Sequence, residues 1–525
     1  MEKRSYKVTC KPYNMHQQQL LPQSLDELID ENHVVRVVNR ILDTIPLEQL
    51  LSRYKGGGTS CYHPVMMLKV LVFAYTQHIY TSRQIAKALR ENIHFMWLSG
   101  GNKPNFRTIA AFRRDLVSQI KPIFATTVEL LQQDGYVSFE EYFLDGTKIQ
   151  SVANKYTFVW RKSVEGYEKK LQEKLNVFFE RIDAENDAED KLYGDQDLPE
   201  RGQNSKITPE QLEAKAKEIA ELLEKMPENK ELAKEKKKLE TDYLPRLKRY
   251  EAQQELFGDR NSFSKTDTDA TFMRMKEDPM LNGQLKPGYN VQIGTENQFI
   301  LGYSIHQRPT DTLTMIPHLE ELKKERGKLP DRIIADAGYG SEENLAWLEK
   351  KDVEAYVKYN TFHKERRRKF RKNQFHVKNL PYDSERDVYT CPAGKKLMYS
   401  HDKERTTGNG YQIKTRVYEC TDCTDCPLKE YCHQGKSNRR IEISPEGERL
   451  RGQAKARLMT EVGTMLRKRR CWEVESVFGH IKQCRGFRRF LMKGLDKVGV
   501  EWGLLAMAHN ALKLTTCLKM DDVKA

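Results

Sequence analysis

The chain has 525 residues, a formal net charge of +14 and a mean hydropathy of −0.75. It is too polar for a membrane protein and too long for a single ordinary core, so we expect about two to four folded regions. The hydrophobic fraction of 38% excludes a wholly disordered chain. Because the N-terminus lacks the apolar segment of a signal peptide, we expect a cytosolic protein, and the basic excess indicates a polyanionic partner.

Residues 24 to about 136 show helical periodicity, which begins with a capping box at Ser24-Leu25-Asp26-Glu27. Three predicted helices cover residues 63–77, 82–91 and 105–120, and their short connections resemble a helix-turn-helix arrangement. The third helix carries Arg107, Arg113 and Arg114. An exposed basic face there could lie against duplex DNA, and the alternative is a solvated face on a small helical bundle.

After residue 136 the pattern changes to strands that alternate with helices. The segment 139–153 is aromatic and β-branched, as in a strand, and it contains Asp145 directly before a glycine. The following elements are predicted to be strands at 289–295, 299–306, 332–335 and 354–359 and helices at 312–326, 342–351 and 472–483. Taken in order, they give an α/β fold with the element order of an RNase H-like core.

Two insertions interrupt this order. The first, residues 165–260, is rich in Glu, Lys and Leu and has apolar heptad spacing from Leu171 to Ile182. A second helix begins at Thr208-Pro209-Glu210-Gln211, so we expect an antiparallel helical hairpin with the acidic loop 185–200 between its arms. The predicted regions are a helical domain at 1–136, the α/β core at 137–164 and 261–360, the hairpin at 165–260, a basic and Cys-rich insertion at 361–465, and the last part of the core at 466–525.

Five of the ten cysteines fall between residues 391 and 432. Closely spaced thiolates in a reducing compartment are typical of a tetrahedral ion, and structural Zn²⁺ is the first choice. The preferred ligands are Cys391, Cys423, Cys426 and Cys432, with Cys420 or His433 as substitutes. Unliganded thiols and an iron–sulfur cluster are the alternatives.

Three acidic residues lie where an RNase H-like sheet would bring them together. Asp145 lies on the first strand, Asp336 follows the strand 332–335, and Glu475 lies on the helix after the last strand. Phosphodiester chemistry uses divalent ions held by carboxylates, and Mg²⁺ prefers such hard oxygen ligands. The three residues are therefore candidates for a catalytic metal site that binds Mg²⁺ or Mn²⁺.

Helical spacing decides the choice of the third acid. Glu473 and Glu475 are about 200° apart around a helix, so both cannot face one site. Lys482 is seven residues after Glu475 and would be nearly eclipsed with it, which places a cation beside the bound phosphate. We therefore expect Glu475 to be the catalytic residue and Lys482 to contact DNA.

Three runs resemble the acidic motifs of bacterial insertion-sequence DDE transposases. They are Asp145-Gly146-Thr147-Lys148, Ala335-Asp336-Ala337-Gly338-Tyr339-Gly340-Ser341 and Val474-Glu475-Ser476-Val477-Phe478-Gly479-His480-Ile481-Lys482. Residues 21–136 and the Cys-Pro-x-Gly and Cys-x2-Cys-x2-Cys-x5-Cys runs are similar to one group of these enzymes. The resemblance implies a metal-binding triad of Asp145, Asp336 and Glu475. Related transposases often have a Tyr and an Arg before the catalytic Glu, and Arg470 is the candidate for that Arg here.

The resemblance implies binding to double-stranded DNA, namely the terminal inverted repeats of the element and its target. It implies metal-dependent cleavage followed by strand transfer, with a homodimer in the synaptic complex acting at bacterial nucleoid DNA and no membrane partner. A nuclease or junction resolvase on the same fold is one alternative, and a catalytically silent DNA-binding regulator derived from a transposase is another.

The charge of +14 is concentrated in two stretches. Residues 363–372 carry seven basic and one acidic residue, and residues 464–493 carry nine basic and two acidic residues. The insertion 165–260 instead has 19 basic and 25 acidic residues. We therefore expect phosphate binding near Glu475, with Arg485, Arg488 and Arg489 as further DNA contacts.

Overall fold

The computed structural model of the chain covers residues 24–51, 61–193, 206–225, 229–275, 283–433 and 435–524 with described positions. These residues form a mixed α/β structure, as predicted. By internal contacts the chain divides into two compact units, Met1–Asp115 with Asn510–Ala525, and Leu116–His509. None of the described helices combines the length and the apolar character that a bilayer-spanning segment needs.

The first unit is helical. Its helices are α1 (Val34–Asp43), α2 (Leu47–Leu51), α3 (Pro64–Thr76), α4 (Ser82–Glu91), α5 (Ile93–Leu98) and α6 (Phe106–Asp115). α3 is buried along almost its whole length and forms the centre of this unit. Its charged residue Lys69 is buried too, and it donates hydrogen bonds to Asn39 (2.7 Å) and Asp43.

The predicted helix-turn-helix region differs from expectation in two ways. The short helix α5, capped by the Asn92 side chain, lies between the second and third predicted helices, and α6 ends at Asp115 rather than near residue 120. The expectation that Arg113 lies on an exposed face is wrong. Its guanidinium is buried and donates to the Tyr80 carbonyl at 2.7 Å, so Arg107 and Arg114 are the exposed arginines of α6.

The second unit contains a six-stranded mixed sheet. The strands up to residue 357 are β1 (Glu141–Gln150), β2 (Phe158–Trp160), β3 (Ser262–Ser264), β4 (Thr271–Arg274), β5 (Leu285–Glu296), β6 (Phe299–His306), β7 (Arg332–Ala335) and β8 (Glu354–Val357). β1 is central, antiparallel to β5 on one side and parallel to β7 on the other. β6 and β4 pair with β5, β8 pairs in parallel with β7, and β2 and β3 form a separate ribbon.

All five predicted core strands are present. The helices that cover and flank this sheet are α7 (Ile120–Gln133), α12 (Met315–Arg326) and α13 (Glu342–Lys350), and the helices of the first insertion lie between α7 and α12 in sequence. Tyr142, Ile293 and Ile333 are fully buried within the sheet core.

The first insertion is helical, but it is more than a two-armed hairpin. It consists of α8 (Arg161–Tyr193), α9 (Pro209–Lys225), α10 (Lys230–Lys238) and α11 (Leu244–Phe257), with a π-helical turn at Leu239–Tyr243. The predicted acidic loop 185–200 is helical as far as Tyr193, and its remainder lies outside the described residues. Thr208 and Gln211 form a reciprocal capping box, and Leu171 and Leu175 are fully buried.

The second insertion contains a five-stranded antiparallel sheet. Its strands are β9 (Tyr382–Asp383), β10 (Val388–Thr390), β11 (Lys396–Thr406), β12 (Gln412–Cys420) and β13 (Arg440–Ile443). The helices from here to the end are α14 (Phe362–Glu365), α15 (Arg368–Arg371), α16 (Lys429–Cys432), α17 (Pro445–Met459), α18 (Glu461–Glu473), α19 (Glu475–Gly479) and α20 (Leu495–Lys524). A π-helical turn at His480–Cys484 follows α19.

Candidate active site

Asp145 lies on β1, and Asp336 directly follows the neighbouring parallel strand β7. Leu144 of β1 pairs with Ala335 of β7, and Asp145 and Asp336 are the next residues after this pair on the two chain segments. Asp145 is buried, with 6% of its surface exposed, and its carboxylate accepts a hydrogen bond from the Gly146 amide at 2.8 Å. Asp336 caps a short 3-10 turn and accepts from the Gly338 amide at 2.8 Å.

The third predicted acid, Glu475, is the first residue of α19, and 58% of its side chain is exposed. Glu473 has a different position, because it is completely buried. It pairs with Arg469 at 3.0 Å and accepts from the Gln298 amide at 2.7 Å. Of these two acids, Glu475 is therefore the one accessible to a substrate.

Arg470 of α18 lies between the first and third acids. Its Nη1 is 3.4 Å from Asp145 Oδ2, and its Nη2 is 3.6 Å from Glu475 Oε1. The residue is 7% exposed, and its Nε has no hydrogen-bond partner among the described residues. A buried guanidinium thus links two carboxylates and retains one unsatisfied donor.

The buried phenol of Tyr339 lies next to several charged groups. Burial raises its pKa well above the usual value, and the carboxylates of Asp311, Asp145 and Asp336 raise it further, while Arg470 opposes them. The carboxylates of all three aspartates are therefore close enough to act on one hydroxyl. Sequence reasoning missed Asp311, because it lies in the connection between β6 and α12 and belongs to no motif.

A second missed residue is Lys358, which directly follows β8. Burial lowers its pKa, as does the nearby Arg470, while Asp336 acts in the opposite direction. The signal was available in the sequence, since Lys358 follows a parallel strand just as Asp336 does. Its ammonium adds a cation to the acidic end of the sheet.

Of the predicted phosphate contacts after Glu475, two are buried and two are exposed. Lys482 and Arg485 are buried, with 8% and 7% exposed, and Lys482 lies in the π-helical turn that follows α19. Arg488 and Arg489 are exposed beside the end of β1, where the Gln150 amide donates to the Arg488 carbonyl at 3.2 Å and Arg489 Nε donates to the Ser151 carbonyl at 3.2 Å.

The carboxylates supply the hard oxygen donors that Mg²⁺ or Mn²⁺ prefers. As the side chains are placed, however, the described residues include no group of three or more His, Cys, Asp or Glu arranged to hold a metal ion. The Arg470 guanidinium accounts for part of this, because it lies between Asp145 and Glu475. The carboxylate oxygens are suitable ligands for a divalent cation, whereas the present side-chain positions are those of two carboxylates, Asp145 and Glu475, with Arg470 between them.

The cysteine cluster lies in the second insertion. Cys391, Cys420, Cys423, Cys426, Cys432 and His433 line one small cavity, and all five thiols are free. Arg439 donates to Cys432 Sγ at 2.9 Å, and its backbone amide donates to Cys423 Sγ at 3.4 Å. Burial raises the pKa of the Cys420 thiol to about 11, in keeping with its packing in the core of this sheet. Zinc binding stays a prediction.

Comparison with protein families gives two matches. Residues 390–515 match the model of the Transposase DDE domain, and residues 23–115 match the model of the Transposase domain (DUF772). No curated protein and no solved structure gave a significant match. The first match includes Glu475 and Arg470, and the second covers α1 to α6.

Proposed function

Taking the two transposase matches as the premise, we propose that the chain is an insertion-sequence DDE transposase. In this proposal it binds the terminal inverted repeats of its own element, cuts the DNA at their ends and joins the ends to target DNA. The catalytic unit is an RNase H-like core, which is supported by the strand order β6-β5-β1-β7-β8 with two parallel pairs after the central strand.

The observation that carries the proposal is the link from Asp145 through Arg470 to Glu475. It joins acids that are 330 residues apart in sequence at the end of a parallel strand pair, where Asp336 also lies. Asp145, Asp336 and Glu475 are therefore proposed as the catalytic triad.

The side chains of the site are suited to a phosphodiester. The Arg470 guanidinium places a positive charge beside Asp145 and Glu475, where the phosphate would lie. Lys358 and the exposed Arg488 and Arg489 would add positive charge along the DNA backbone. In the reaction, water attacks the scissile phosphorus and breaks its bond to the 3′ oxygen, so that a 3′-hydroxyl leaves and the phosphate stays on the 5′ end. This 3′-hydroxyl then attacks a phosphodiester of the target and displaces the 3′-hydroxyl of the target strand, with no covalent protein intermediate.

Asp145, Asp336 and Glu475 would hold the Mg²⁺ or Mn²⁺ ion, which would neutralise charge that develops on the phosphate. Cys391, Cys423, Cys426 and Cys432 would hold a structural Zn²⁺, with Cys420 or His433 as substitutes. Arg107 and Arg114 of α6 are proposed to contact the repeat DNA. Because two ends must be cut and joined, the acting species is proposed to be a homodimer on DNA.

The test uses the full chain and DNA fragments that carry the flanks of its reading frame. Asp145→Asn and Glu475→Gln should abolish Mg²⁺-dependent cleavage while end binding, measured by gel shift, stays within a few-fold of wild type. Asp242→Asn, in the helical insertion, is the control and should cleave normally. Cleavage by either active-site variant at the wild-type rate would refute the assignment.

A strand-transfer assay with pre-cleaved ends separates the two rival functions. A resolvase or nuclease would cut but would not join these ends, and a silent regulator would bind them without cutting. Joined products that disappear in Asp145→Asn are expected for the transposase.

A further inference from the structure

Asp311 lies in the connection between β6 and α12 and reaches the sheet beside the proposed triad. Its Oδ1 accepts hydrogen bonds from Asn290 Nδ2 at 2.8 Å and from Gln292 Nε2 at 3.0 Å. Both amides are completely buried on β5. A half-buried carboxylate with two buried donors is held in one position, so Asp311 is not a mobile surface acid.

The contact extends to the residue after Asp145. A side chain at Gly146 would place its Cβ 2.6 Å from Asp311 Oδ1 and 2.3 Å from Gln292 Nε2. Because Gly146 has no side chain, Asp311 and Gln292 can lie against β1 beside Asp145, the first proposed catalytic acid.

The same amide connects Asp311 to the turn that carries Asp336. Gln292 Oε1 accepts a hydrogen bond from the Tyr339 hydroxyl, and Tyr339 is completely buried three residues after Asp336. The neighbouring Thr312 hydroxyl donates to the Gly338 carbonyl at 3.0 Å, which ties the Asp311 connection to the same turn a second time. Asn344 donates to the carbonyls of both Thr312 and Tyr339 at 2.9 Å.

We propose that Asp311 is a positioning residue of the active site, acting through Gln292 and Tyr339 to fix the turn that presents Asp336. This inference rests on the proposed function of the triad. Its carboxylate orients the Gln292 amide so that the amide oxygen faces the Tyr339 hydroxyl. The role requires an acceptor of the right shape at position 311 and does not require its negative charge.

The test compares Asp311→Ala, Asp311→Asn and Tyr339→Phe in the full chain. Asp311→Ala and Tyr339→Phe should each lower kcat for end cleavage about tenfold or more, with KM for the DNA unchanged, as is common for residues that support catalytic ligands. Asp311→Asn keeps the acceptor oxygen and should recover most of the activity. The double variant Asp311→Ala/Tyr339→Phe should lose little more than either single variant, because both act through Gln292.

A second readout does not depend on turnover. The readout is binding of Mn²⁺ alone to the protein, measured by the loss of the paramagnetic resonance signal of the free ion. The affinity for Mn²⁺ should be lower in Asp311→Ala and should recover in Asp311→Asn. If Asp311→Asn recovers neither cleavage nor Mn²⁺ binding, the positioning role is wrong and the negative charge of Asp311 is itself required. Multiplicative losses in the double variant would also overturn it, as would wild-type activity of Asp311→Ala.

Asp145→Asn in the same assays keeps the two proposals apart. If wild type does not cleave, or if Asp145→Asn still cleaves, the proposed function fails. If cleavage depends on Asp145 while Asp311→Ala behaves as wild type, only the inference on Asp311 fails.

Discussion

At the scale of single residues, Gly146 shows how closely the groups around the site are packed. The space that a Cβ would take is already filled by polar atoms of Gln292 and Asp311. Gly146→Ala should therefore destabilise the protein by about 1–3 kcal/mol, the usual cost of overpacking, and should lower cleavage because Asp311 is displaced.

The measurement is the thermal melting midpoint of the full chain. Gly166→Ala is the control, because Gly166 lies in α8 with nothing within 4 Å of the added Cβ. It should melt at or slightly above the wild-type midpoint, since alanine favours a helix over glycine. Equal midpoints for the two variants would show that the site around Gly146 can relax.

Residue-level reasoning from the sequence succeeded where spacing alone decides the outcome. Helical spacing predicts that Glu473 and Glu475 do not face the same site. In the structure α18 ends at Glu473, which is buried, and α19 begins at Glu475, which is exposed. Asp311 could not be found in this way, because its proximity to Asp336 depends on a hydrogen-bond chain through Gln292, a residue of another strand. Such long-range polar contacts leave no periodic signal in the sequence.

At the scale of elements, the sequence pattern predicted the strands well, and helical periodicity predicted the helix ends less well. β6 and β7 cover the predicted residues, whereas the predicted helix 472–483 is divided among α18, α19 and a π-helical turn. Lys482 lies in this turn and is buried. A π-helical turn that interrupts a helix depends on tertiary packing, and the spacing of apolar residues in the sequence does not reveal it.

The short helix α14 provides a pH-dependent prediction. Burial alone would raise the pKa of Glu365, but hydrogen bonds from Lys378, Thr361 and Tyr359 lower it to about 2. A depressed carboxyl pKa stabilises the fold above the unfolded value of about 4.5, and the contribution is lost as the pH falls toward 2. After allowance for solvent screening of this partly exposed group, Glu365→Gln should therefore cost about 1–3 kcal/mol near neutral pH and less than half of that near pH 3.

Urea unfolding at the two pH values measures this difference. Glu404→Gln serves as the control, because Glu404 pairs with Lys414 at 3.1 Å on the exposed part of the β11–β12 ribbon, where an ion pair contributes about 1 kcal/mol or less. A Glu365→Gln penalty that is independent of pH would show that its hydrogen bonds do not depend on the ionised carboxylate.

At the scale of the whole molecule, the net charge of +14 is unevenly distributed, and the distribution bears on DNA binding. Arg366, Arg367 and Arg368 are exposed and make no ion pair with a described carboxylate. The insertion helix α10 also carries exposed lysines, but it belongs to a segment with an excess of acidic residues. Composition alone predicts a polyanionic partner, whereas the positions of the charges predict which stretch of the chain contacts that partner.

Two variants with equal changes in net charge test this distribution. The first replaces Arg366, Arg367, Arg368 and Lys369 with Gln, and the second replaces Lys230, Lys234, Lys237 and Lys238 with Gln. Each phosphate contact contributes about 0.9 to the slope of the logarithm of the DNA association constant against the logarithm of salt concentration. The first variant should therefore flatten the slope by up to about 3 to 4 and weaken binding at low salt, whereas the second should leave both nearly unchanged. Equal effects from the two variants would mean that binding follows net charge rather than a defined phosphate-contacting surface.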